Sequence, residues 1–140
     1  MEKGEIFNLV PKNKFDDSTI GELMKIEEKK MKLILPELIL WIADFNWPIA
    51  KDMINILILY PNSLIPVIKK SLNPFQDDEI LKYWIIIKLI PELPQKYQNL
   101  LRGDIERICY EPTIGETNEN VHFEAKILLD NIIFSLNTEK

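Results

Sequence analysis

The chain has 140 residues, 46% of them hydrophobic and 28% charged, which is the composition of one soluble domain with a sizeable core. A single cysteine, Cys109, excludes an internal disulfide and a cysteine-rich zinc site, and a single histidine, His122, leaves little material for a histidine-built metal centre. With 17 basic against 22 acidic residues, net −5, nonspecific nucleic-acid binding has no electrostatic support.

Residues 1–15 read as an N-terminal arm: the start is charged, and the apolar patch Ile6–Val10 is too short for a secretory signal. Asp16, Asp17 and Ser18 can cap a short helix predicted to run to about Glu28. Leu35, Leu38, Ile39 and Ile42 then form one apolar stripe at helical spacing, with Pro36 expected in the first turn and an end near Asp44. Asn46 is the expected N-cap of the next helix, with Trp47 and Pro48 in its first turn and Ala50, Met53, Ile54, Leu57 and Ile58 facing the core. Pro61 stops that helix, Ser63 is expected to cap another with Pro66 in its first turn, and Asn73–Asp78 is a loop.

Asp77 or Asp78 starts a helix expected to reach Ile90. Tyr97, Leu100, Leu101, Ile105 and Ile108 mark one further helix, Glu111–Glu116 a loop, and Val121, Ala125, Leu128, Leu129, Ile132, Ile133 and Leu136 the last, ahead of a frayed tail at 137–140. No segment alternates with period two for long, and no apolar run reaches the roughly 20 residues that span a bilayer. The fold class is therefore all-α: a single domain over 1–140 of six or seven helices stacked as antiparallel pairs. Trp47 and Trp84 lie 37 residues apart, near the HEAT period of about 40, which suggests a short HEAT-like solenoid. A lone cysteine suits the reducing cytoplasm, and the Lys/Ile/Asn-rich composition a bacterial source.

The run Leu35-Pro36-Glu37-Leu38, Trp41 and Asp44-Phe45-Asn46-Trp47-Pro48-Ile49-Ala50, followed by Lys82-Tyr83-Trp84, resembles a bacterial domain family, domain-of-unknown-function family 5071. The resemblance extends through Leu89–Pro94 and Glu111-Pro112-Thr113 and covers about Leu9 to Leu129. It implies an all-helical HEAT-like domain and brings no reaction, substrate or cofactor. The acidic loop Gly115–Glu119 ahead of His122 departs from the family pattern.

The candidate binding residues are Asp44, Asn46, Trp47, Lys82, Tyr83 and Trp84. In a stacked solenoid the starts of their two helices share one edge, which would gather aromatic anchors and polar groups as interfaces do. Lys82 and Tyr83 are expected to be the more exposed members. The competing reading is that Trp41, Trp47 and Trp84 are core.

No catalytic, metal or cofactor residues are assigned. Glu37 and Asp44 are seven residues apart with nothing converging on them, His122 with Glu119 or Glu124 is a poor ligand set, and Cys109 reads as a small buried hydrophobe. The sequence thus points to a non-catalytic module for a protein partner, preferably basic, with no nucleic acid or membrane and an open oligomeric state. The alternative is an enzyme on a HEAT-like scaffold, such as a DNA glycosylase of the alkylation-repair type, which the net negative charge disfavours.

Overall fold

The computed structural model of the chain describes residues 3–138 and is helical, with no strand among the described residues. They fall into two compact units that divide between Val67 and Ile68.

In the first unit, α1 (Lys3–Ile6) and a 3-10 turn at Phe7–Leu9 bury Ile6 and Leu9, so the expected arm carries core residues. Helix α2 is only Ile20–Leu23. Its predicted caps are used one step earlier: the Asp16 carboxylate accepts from the backbone of Lys12 and Ser18 and from the Ser18 hydroxyl, closing a loop. Helix α3 (Glu28–Leu38) starts well ahead of Leu35, because Met31 and Ile34 extend the apolar stripe backward; both are fully buried.

Pro36 therefore sits in the last turn of α3 and not the first. The N–H it lacks would have bonded the carbonyl of Lys32, and both residues are exposed, so water can satisfy that carbonyl. A 3-10 segment, Ile39–Ile42, carries the stripe onward. Helix α4 (Ala50–Leu57) packs on it and on α2 and α3. Tyr60 closes the unit: its buried phenol reaches the carbonyls of Leu23 and Ile26 at 3.0 and 2.9 Å.

Helix α5 (Pro61–Leu72) opens on Pro61, and Pro66 lies inside it, beyond the expected first turn, on an exposed face. Ser63 is no cap; it is 5% exposed and its hydroxyl has no partner among the described residues.

The second unit is built on α10 (Val121–Thr138), which packs against α6 (Glu79–Trp84), α7 (Gln95–Leu100), α8 (Arg102–Tyr110) and α9 (Ile114–Asn118). Asp78 caps α6 as expected, accepting from the Leu81 N–H at 3.1 Å. The helix then widens into a π segment, Ile85–Leu89, and tightens into a 3-10 turn, Ile90–Glu92. The helix predicted across Tyr97 to Ile108 is broken at Leu101 into α7 and α8. On α10 the predicted apolar face is buried from Val121 to Ile132, while Ile133 and Leu136 are half-buried. Asn137 remains helical, and residues 139–140 of the expected frayed tail lie outside the described residues.

Among the described residues ten α-helices thus stand where six or seven were expected. The additional ones, α1, α7 and α9, have four to six residues, too few for an apolar period to emerge.

Candidate functional site

Lys82 does not lie on the surface. It is 0% exposed, although charged side chains are rarely buried unless paired. Its Nζ donates to the Glu116 carboxylate at 2.7 Å and to the carbonyl of Asn73 at 3.0 Å. Glu116 is equally buried, and Arg107 meets it from the other side with a two-pronged contact at 2.6 and 2.8 Å. The same guanidinium donates to the carbonyl of Leu72 at 2.7 Å.

Glu116 holds a second role. It is the third residue of α9, where its carboxylate accepts from the Thr113 N–H at 2.9 Å while the Thr113 hydroxyl accepts from the Glu116 N–H, a reciprocal capping box. The segment read as an acidic loop is thus a capped helix. Burial pushes the Glu116 carboxyl up, but the hydrogen bonds from Arg107, Lys82 and Thr113 outweigh it and hold the group at about 2, against the usual 4.5. The carboxylate therefore stays charged at neutral pH and clamps α6 to α9. A Cβ at Gly115 would meet the carboxylate end of the Glu79 side chain on α6, which can swing aside.

Directly beside this clamp, a pocket of about 300 Å³ is lined by Ile80, Tyr83, Trp84, Glu119 and Asn120. Tyr83 and Trp84, both half-buried, meet edge to face with centroids 5.3 Å apart and planes at 87°. Glu119 is exposed, and Asn120 carries the one positive φ of a non-glycine residue among the described residues, 60°, a conformation that asparagine tolerates better than most. None of the five lining residues is basic. Of the expected site residues, the structure brings Tyr83 and Trp84 together and takes Lys82 into the core. It adds Ile80, Glu119 and Asn120, which the sequence reading did not select. Thr113 and Glu116, spaced as Thr-x-x-Glu, were the available signal that this stretch is ordered.

In the first unit, Asp44 makes the turn that precedes α4: its carboxylate accepts from the Asn46 N–H at 2.9 Å, and its carbonyl from the Trp47 N–H at 3.0 Å. Asn46 is exposed and is not the N-cap; α4 begins at Ala50, with Ile49 in the cap position and no side-chain cap bond. Trp47 is half-buried against Trp41, with centroids 5.7 Å apart.

Among the described residues no three His, Cys, Asp or Glu side chains gather as metal ligands would. Cys109 is half-buried and not fully buried as expected, and burial pushes its thiol up, away from the reactive thiolate. No helix among the described residues is long and apolar enough to cross a membrane.

The family described as Domain of unknown function (DUF5071) matches residues 9–129, and the chain belongs to it. No curated protein matches the sequence at a significant level.

Proposed function

We propose that this member of the family is a non-catalytic binding module that recognises a basic protein partner. The observation that supports the reading is the pocket in the second unit, where an aromatic pair, Tyr83 and Trp84, shares its walls with the Glu119 carboxylate and with no basic side chain. Aromatic anchors with a polar rim are what protein interfaces use, and the net charge of −5 attracts a cationic partner over longer range. A carboxylate in the pocket repels a phosphate backbone, which disfavours the glycosylase alternative. The corner of Asp44, Asn46 and Trp47 is retained as a proposed contact region on account of its half-exposed tryptophan. HEAT-like stacking of the helices, a bacterial source and a cytoplasmic location belong to the same reading.

The test is affinity capture from the native cell with wild-type protein and the Tyr83→Ala variant, at two salt concentrations. A basic protein retained by the wild type, lost from Tyr83→Ala and weakened by salt is the expected result. Retention of every captured protein by a folded Tyr83→Ala variant overturns the reading.

A further inference from the structure

We infer that the pocket between α6 and the turn that follows α9 takes the guanidinium of one arginine side chain from the partner. This rests on the binding reading above and names the group bound. The pocket's size fixes the scale: about 300 Å³ lies at the bottom of the range for small-molecule sites, enough for one long side chain. Its charge fixes the sign, since Glu119 is the one carboxylate among the lining residues and none of them is basic.

Shape and acceptors select among cations. Tyr83 and Trp84 stand nearly perpendicular, 87° apart, and so form an aromatic corner. A flat guanidinium stacks along a ring face, whereas an ammonium is compact, strongly hydrated and without a plane to align. Glu119 and Asn120 are consecutive, so two carboxylate oxygens and an amide oxygen come from one short stretch at the rim. That acceptor set matches the five donors of arginine, which are fixed in a planar fork.

The site is also preorganised. Lys82 precedes Tyr83 on α6, Glu116 lies one turn before Asn120, and their ion pair at 2.7 Å, sealed from water, fixes the two walls relative to each other. A ligand entering such a site loses little affinity to ordering it.

The test is an NMR titration of the ¹⁵N-labelled full chain, reading the Trp84 indole N–H. The probes are a glycine–serine peptide carrying one arginine and the same peptide with lysine or with citrulline, the uncharged analogue of arginine. The expected result is saturable binding of the arginine peptide, about tenfold weaker for lysine and weaker still for citrulline, with Glu119→Gln lowering arginine affinity about tenfold at unchanged helicity. Equal affinity for the arginine and lysine peptides, no binding of either at millimolar concentration, or an arginine affinity unmoved by Glu119→Gln overturns the inference. Loss of a native basic partner by Tyr83→Ala combined with equal peptide affinities would leave the binding reading standing and remove the guanidinium assignment alone.

Discussion

Replacing Glu116 with glutamine isolates the charge of the buried clamp. Glutamine keeps the shape of the side chain and can still close a capping box with Thr113, so α9 retains its start. What is lost is the anion facing Lys82 and Arg107. The two cations do not suffer equally. The Arg107 side chain is 22% exposed and can turn toward water, whereas Lys82 is 0% exposed and keeps only the Asn73 carbonyl. Removing one member of a buried ion pair costs about 3–5 kcal/mol.

The acid titration gives a separate figure. A carboxyl held at about 2 in the fold against 4.5 in its usual state contributes about 3 kcal/mol, or roughly 10 °C in Tm for a chain of this size. Because the folded value is depressed, this contribution is complete above pH 4.5 and is lost as pH falls toward 2. Urea unfolding followed by far-UV circular dichroism at several pH values between 7 and 2 measures both quantities. Glu116→Gln should be about 3–5 kcal/mol less stable at pH 7, and its stability should fall less steeply than that of the wild type below pH 4.5. Parallel stability–pH curves for the two proteins in that window would refute the assignment of the clamp.

Three further outcomes are expected. Tyr60→Phe should destabilise by about 1–2 kcal/mol in urea unfolding, because the carbonyls of Leu23 and Ile26 lose a buried donor. Trp47→Ala should cost about 2 kcal/mol by the same assay, less than the 3–5 kcal/mol typical of a fully buried tryptophan, because Trp47 is half-exposed and loses chiefly its contact with Trp41. Thr113→Ala should lower thermal stability by about 1 kcal/mol through loss of the cap on α9, with Glu116 still ionised at pH 7.

The long amphipathic segments were legible in the sequence because a stripe such as Leu35, Leu38, Ile39 and Ile42 repeats often enough to set a period. Boundaries were less so. Pro36 and Pro66 were placed in first turns on the usual preference of proline, but each sits on an exposed face where a missing hydrogen bond is inexpensive. Two of the five residues that line the candidate pocket were visible: Tyr83 and Trp84 stood out as adjacent aromatics. Lys82 was misplaced because its burial depends on Glu116, 34 residues away, and no local pattern reports such a pairing. Glu119 and Asn120 were missed because ordinary polar residues after a five-residue helix carry no periodic signal.

The π segment at Ile85–Leu89 bears on how this helix tolerates change in length. Leu81 and Lys82, Ile85 and Ile86, and Leu89 and Ile90 are buried as pairs recurring every four residues. In a regular α-helix that spacing drifts by about 40° per step around the axis, and the wider π turn, with one more residue per loop of hydrogen bonds, absorbs the drift. The segment behaves as a splice carrying one surplus residue. Deleting Ile87 would let it close as α-helix, and the buried pairs would then stand four and seven residues after Leu81 and Lys82, the ordinary spacing of one helical face, so that Leu89 and Ile90 stay on the core side. The helix can thus lose one residue at this point without re-aiming either the half that carries the aromatic corner or the half that follows.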